Sequence, residues 1–197
     1  MKIVTIPHPS LRKKAKPVIE VDAALIKLVS DLETTLDEHR DPPGVGLAGP
    51  QVDKLSRIFI TKLPYGDDVG EPGNRPASQI RHFINPQLVK ACKRKKVLGV
   101  KTNQPDLEGC LSMPGLYGPV PRHRWVELEF QTLKDGRLID QRERFAGFQA
   151  RVVQHELDHL DGILFTDYAL KNGLPVYRES ETGQGLVEIE PELIEII

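Results

Sequence analysis

The chain has 197 residues, 39% of them hydrophobic, and 27 basic against 28 acidic side chains. That length predicts one domain with a core large enough to stand without disulfides, and the near-zero net charge excludes a global field for nucleic acid or an anionic membrane. Two cysteines, Cys92 and Cys110, and no apolar run of signal-peptide or bilayer-crossing length predict reduced thiols and a cytoplasmic location.

Asp22 stands where an N-cap belongs, ahead of Leu25, Leu28, Leu32 and Leu36 at three- and four-residue steps. This spacing predicts an amphipathic helix of about 16 residues. The segment Asp41-Pro42-Pro43-Gly44-Val45-Gly46 excludes helix, because two prolines fix φ and two glycines favour turns or close backbone approach. Arg57 to Lys62 and Ile80 to Asn85 read as short strands, and the Pro-, Gly- and Asp-rich stretch 64–79 between them as a surface loop.

Val126, Leu128 and Phe130 alternate with polar residues, and Asp135-Gly136 sits where a tight turn would lead back through Leu138 to Phe145. An antiparallel hairpin with one buried face follows. Gly147 to Asp161 then switches to helical period, with Ala150, Val153, Leu157 and Leu160 as its core face and Gly162 as a left-handed stop. The order helix, strands, hairpin, helix predicts an α+β fold rather than alternating βαβ units. The tail 171–197 is an extension whose structure the sequence leaves open.

The chemistry concentrates at His155-Glu156-Leu157-Asp158-His159, an HExxH pattern on the second helix. Residues four apart share a helical face, so both imidazoles can reach one metal ion with Glu156 close enough to handle its water. The competing reading is a surface helix with two scattered histidines. Against it, His155 and His159 share a stripe with Phe148 and Val152, distinct from the aliphatic core stripe, as a helix lining a cleft requires. Two histidines leave a tetrahedral metal short of a protein ligand. A metzincin-like histidine is missing, since Phe165 stands in its place; Glu179 and Glu181 are downstream carboxylate candidates, and Cys110 in Glu108-Gly109-Cys110-Leu111-Ser112 offers a thiolate.

Three short motifs then stand in order: GVGLAGPQ at Gly44 to Gln51, EGCLS at Glu108 to Ser112, and QHELDH at Gln154 to His159, after an opening HPSLRKKAKPV from His8 to Val18. In these the chain resembles the peptide deformylases over most of its first 165 residues. The resemblance implies one catalytic domain over 1–197, with antiparallel β-sheets packed around a central HExxH-bearing helix and an additional N-terminal helix. It implies hydrolytic removal of the formyl group from the N-terminal formylmethionine of nascent polypeptides. Cys110, His155 and His159 would be the metal ligands, with water in the fourth position and Glu156 as general base. The ion would be Fe2+ in the cell, with Zn2+, Ni2+ or Co2+ able to take the site in a purified sample.

By the same resemblance, Gln51 and the backbone N–H of Leu111 would stabilise the oxyanion. Val45 and Gly46 would contact an extended substrate, and Val45, Phe148 and Val152 would wall the methionine pocket. Metal-site logic adds Glu108, either orienting a histidine or pairing with Arg122. The expected partners are N-formylmethionyl peptides and a transient ribosome contact, with no specific nucleic acid and no membrane. Gly49 departs from the family's usual alanine, a change the turn is expected to survive with slightly more backbone freedom. Two other functions compete: an HExxH peptidase drawing its third ligand from downstream, and a catalytically silent binder of N-terminal peptides.

Overall fold

Asp22 caps the first helix with its carboxylate, which accepts from the Leu25 N–H at 2.7 Å. Helix α1 (Ala23–Glu38) follows, its Leu25, Leu28, Leu32 and Leu36 all buried. Fully burying one such leucine contributes roughly 1.5–3 kcal/mol, so this face alone anchors the helix. The computed structural model describes residues 1–39, 43–63, 79–97, 106–180 and 185–190.

Strands β1 (Gly46–Ala48), β2 (Ile58–Leu63), β3 (Gln79–Ala91), β4 (Lys95–Val97), β5 (Leu107–Cys110), β6 (Met113–Pro119), β7 (Pro121–His123), β8 (Trp125–Lys134) and β9 (Arg137–Ala146) precede helices α2 (Gly147–Leu160) and α3 (Phe165–Asn172). Strands β10 (Tyr177–Glu179) and β11 (Leu186–Glu188) end the described chain. One sheet has the order β1-β2-β3-β8-β9, a second β11-β10-β6-β5, and β4 pairs β7. Every pairing between these strands is antiparallel.

Helix α2 is central. Its Ala150, Val153, Leu157 and Leu160 pack into one cluster with Phe59, Phe83, Val126, Leu128, Phe130 and Phe145 of the five-stranded sheet, where Phe59 stacks on Phe83 at 4.5 Å between centroids. The opposite face of that sheet carries α1, through Leu32, Leu36, Leu47, Ile58, Ile60 and Ile84. Phe165 and Ala169 of α3 join Met113 and Val120 beside the four-stranded sheet.

An α+β fold with its HExxH helix among antiparallel sheets is therefore what forms. The hairpin turn is as expected: Asp135 and Gly136 both take positive φ, 49° and 71°, the geometry of the tight turn that matches strand twist. Three features differ. The strand expected to end at Asn85 runs on to Ala91, because Asn85 takes φ 52° and the register shifts beside Pro86, a bulge that absorbs the proline. Helix α3 begins at Phe165, where the sequence showed only a missing ligand. Gly49 is held by crowding rather than freed by its small size: a Cβ there would stand 2.7 Å from the carbonyl oxygens of Lys54 and Ser56. The loop expected at 64–79 lies outside the described residues except for Gln79, which opens β3. Within the tail, β10 pairs β6 and β11 pairs β10, while 181–184 and 191–197 lie outside the described residues.

Candidate metal centre

Cys110 is the last residue of β5, and the turn through Leu111 and Ser112 leads into β6, so the thiol is presented at a strand end. His155 and His159, one turn apart on α2, face it from the other layer. The ligand atoms of Cys110, His155 and His159 all lie within 4.8 Å of one another, and Cys110 Sγ is 3.2 Å from His159 Nε2. Tetrahedral bond lengths to sulfur and nitrogen place two such donors about 3.3–3.6 Å apart, so the set fits a single ion with little movement.

The three side chains are held differently. His155 Nδ1 lies 3.1 Å from Glu108 Oε2, which leaves Nε2 for an ion. Burial alone would lower the His155 pKa, but hydrogen bonds to Cys110 and Glu108 outweigh it and raise it well above the ordinary value. His159 goes the other way: burial, then the charge of His155, depresses it far below the ordinary range. Its Nδ1 is buried with no hydrogen-bond partner among the described residues.

Glu108 is itself clamped. Arg122 donates to it from Nε at 2.9 Å and from an NH2 group at 2.8 Å, and turns its other nitrogen to Asp158 at 2.5 Å. Tyr168 donates to the second oxygen of Asp158 at 3.1 Å. Arg122 is only 1% exposed. Burial would raise the Glu108 carboxyl, yet Arg122 and His155 hold it at about 2. A chain of hydrogen bonds thus runs from Tyr168 of α3 through Asp158, Arg122 and Glu108 to His155.

Glu156 is 3% exposed, and one of its oxygens is buried without a partner among the described residues. Burial pushes its carboxyl up to about 7. Gly46 of β1 lies against it: a Cβ at position 46 would be 2.2 Å from Glu156 Oε1. The glycine was expected to admit substrate; its first effect is to admit this carboxylate.

Gln51 is buried, and its Oε1 accepts from the Ala48 N–H at 2.8 Å. That bond sets the amide orientation, so Nε2 is the atom 3.6 Å from Cys110 Sγ and 3.3 Å from Ser112 Oγ. Leu111 follows Cys110 in the turn. Val45 is 38% exposed and β1 lies at the sheet edge. Val152 is buried one turn before His155 and Glu156, whereas Phe148, a further turn back, is 45% exposed at the rim of a cleft.

The structure therefore brings Cys110, His155, His159, Glu156, Gln51, Leu111, Glu108 and Arg122 to one place, with Val45, Gly46, Val152 and Phe148 extending from it. Glu179 is elsewhere, accepting from the Tyr117 hydroxyl at 2.8 Å, and Glu181 lies outside the described residues. Sequence reasoning missed Ser112, Asp158 and Tyr168. Asp158 lay inside the HExxH segment and could have been singled out there; no local pattern marks Tyr168.

The chain matches the family model described as polypeptide deformylase over residues 1–173. It is 42% identical over 165 residues to a peptide deformylase of Thermomicrobium roseum, covering 84% of this chain and 83% of that one. It is 36% identical over 194 residues to one from Symbiobacterium thermophilum, covering 98% and 77%. Among solved structures, peptide deformylase from Ehrlichia chaffeensis superposes with a TM-score of 0.68 at 31% identity, covering 85% and 87%. A Met-Ala-Ser-bound peptide deformylase from Acinetobacter baumannii gives 0.68 at 28%, covering 85% and 97%.

Proposed function

Because the chain belongs to the polypeptide deformylase family, metal-dependent hydrolases that remove the N-formyl group from nascent peptides, we propose that Cys110, His155 and His159 hold its divalent ion. The observation that carries this reading is the convergence of a thiol and two imidazoles within 4.8 Å, beside a buried, partnerless carboxylate oxygen of Glu156. When bound by these three side chains, the ion would supply Lewis acidity that makes a water a better nucleophile at neutral pH. We assign Fe2+ in the cell; the mixed thiolate and imidazole donors also accept Zn2+, Ni2+ or Co2+ in a purified sample.

Glu156 is the general base. Its carboxyl, raised to about 7 by burial, can take a proton from the attacking water near neutral pH and return it to the departing amine as the formyl C–N bond breaks. Formate and a free N-terminus result. Gln51 Nε2, aimed by its Ala48 bond, and the Leu111 N–H are the donors for the oxyanion that forms on the formyl oxygen. Glu108 and Arg122 are positioning residues that fix the tautomer and angle of His155.

The substrate lies extended along the free edge of β1, adding main-chain hydrogen bonds at Val45 and Gly46, while Val152 and Phe148 wall the methionine side chain. The Met-Ala-Ser found in the Acinetobacter baumannii relative supports a short N-terminal peptide as the group bound. We place the reaction in the cytoplasm, in transient contact with the ribosome, carried by one domain. No helix of the described residues is long and apolar enough to cross a membrane. The peptidase and silent-binder alternatives are not favoured, since the thiol rather than a downstream carboxylate meets the histidines and the base is intact.

The test is formate release from formyl-Met-Ala-Ser by anaerobically purified protein, beside Glu156→Ala and an acetyl-Met control. Rapid release by wild type is expected, with a loss of about 10²- to 10⁴-fold in the variant at unchanged metal content and little turnover of the acetyl peptide. No release from metal-loaded wild type would sink the assignment.

A further inference from the structure

Both carboxylate oxygens of Asp158 are engaged, and by different elements. Oδ2 accepts from a terminal nitrogen of Arg122 at 2.5 Å, and Oδ1 accepts from the Tyr168 hydroxyl of α3 at 3.1 Å. Tyr168 meets Arg122 as well, since the guanidinium carbon lies 5.1 Å from the centroid of the phenol ring. The ring thus packs on the cation while the hydroxyl holds the anion with which that cation pairs. Arg122 has little freedom left: it is almost fully buried, and its remaining nitrogens grip both oxygens of Glu108.

The hydroxyl stands at a fixed place. Asp167, the neighbour of Tyr168, accepts from the Leu164 N–H at the start of α3 and from Arg12 of the N-terminal segment, so the first turn of the helix is pinned from two sides. Partial burial, then the charge of Asp158, pushes the Tyr168 phenol up to about 12, and it keeps its proton and donates throughout the neutral range.

Buried ion pairs depend on geometry, because each desolvated charge relies on its few partners. With Oδ1 released, the Asp158 carboxylate is free to turn, and Arg122, bonded to Oδ2, turns with it. Glu108 is bonded to the same guanidinium, and its Oε2 lies 3.1 Å from His155 Nδ1, the contact that leaves Nε2 to an ion. Displacement at α3 is therefore delivered to a ligand of the metal centre.

Resting on the metal-centre reading, we propose that Tyr168 is a positioning residue: its hydroxyl, acting through Asp158, Arg122 and Glu108, orients His155 and tightens the hold on the ion. Partners bonded directly to a ligating histidine are worth about 10- to 100-fold in metal affinity. Tyr168 is three side chains removed, so its share should be smaller. If Tyr168 only packed α3 against the sheet, its loss would weaken the fold independently of Glu108.

The experiment titrates the chelated full chain with Co2+ against a competing chelator, read by the near-ultraviolet absorption of the cobalt–thiolate bond. Wild type, Tyr168→Phe, Glu108→Gln and the double variant are compared. Tyr168→Phe keeps the ring and removes the hydroxyl; it should raise the Kd for Co2+ about three- to tenfold in the wild-type background. Beside Glu108→Gln, where the relay is already cut, it should raise it less than about 1.5-fold. Asp158→Asn, one link nearer, should raise the wild-type Kd at least as much as Tyr168→Phe. A Kd that either variant leaves unchanged, or that Tyr168→Phe raises equally in both backgrounds, overturns the positioning role. In that case a cobalt–thiolate band in wild type and formate from formyl-Met-Ala-Ser leave the metal centre and the deformylase reading standing. No cobalt–thiolate band in wild type overturns the metal centre and this proposal together.

Discussion

At position 46 a single added carbon would stand 2.2 Å from Glu156 Oε1 and 2.7 Å from its carboxyl carbon. Since Glu156 is buried, the contact cannot be relieved by swinging it into solvent. Gly46→Ala should therefore displace the proposed base and lower kcat/KM by at least about 100-fold, the scale of a lost general base. Metal content, set by other side chains, should match wild type; full turnover would show that the carboxylate need not lie where it does. Glu108 is the second residue with a calculable consequence. Its carboxyl is held at about 2 against an ordinary 4.5, so its stabilisation is fully present above about pH 4.5 and is lost as pH falls through 2. The lowered value contributes on the order of 3 kcal/mol. Urea midpoints of chelated protein should fall steeply between pH 4.5 and 2, and Glu108→Gln should flatten that limb while lowering metal affinity about 10- to 100-fold. An unchanged limb with unchanged metal retention would assign the pair no role in either.

Helix α2 stops where Gly162 takes φ 73°, and the space beside that glycine is filled by the N-terminal segment: a Cβ would meet the Arg12 carbonyl oxygen at 2.7 Å. This segment is a strap. It bonds from Val4 N–H to Gln51 O, from Ile6 N–H to Ser112 O, from Ser10 Oγ to Pro50 O and from Ala15 N–H to Leu160 O, touching all three motif-bearing segments. Gly162→Ala should cost at least about 1–2 kcal/mol from the left-handed backbone alone, with the clash added, read as a lowered urea midpoint at constant slope. A neutral result would mean the strap yields at Arg12. The long periodic elements were legible because burial on one face repeats many times: α1 with its Asp22 cap, the core stripe of α2, and the hairpin around Asp135-Gly136. The HExxH pair was legible because four residues is a helical repeat. What escaped was short or assembled at a distance. Helix α3 has eight residues, too few to show a period, and is started by the Leu164 N–H donating to Asp167. Tyr168 reaches Asp158, and Arg122 reaches Glu108, only after sheet and helix have packed. The strap's backbone bonds leave no mark on side-chain type at all.

At the scale of the whole molecule, the candidate ligands come from two layers that pack on different cores. Cys110 ends β5 of the four-stranded sheet, beside the cluster of Met113 and Phe165, while His155 and His159 ride on α2 against Phe59, Phe83 and Val153. An ion bound across them is a cross-link that the unfolded chain cannot make in the same geometry. Its binding free energy must then appear as folding free energy: about 2.7 kcal/mol when the free ion exceeds its Kd by 100-fold. For a chain of this length that amounts to a rise in Tm of about 5–10 °C. Chelation should lower the melting temperature by that amount and re-addition should restore it, with the shift growing as the logarithm of ion concentration. His159→Ala, which removes one donor from α2, should melt near the chelated wild type and be insensitive to added metal. If chelated and metal-loaded wild type melt together, the two layers are already locked by the Glu108–Arg122–Asp158 ion pairs and the strap, and the ion serves the reaction without holding the fold.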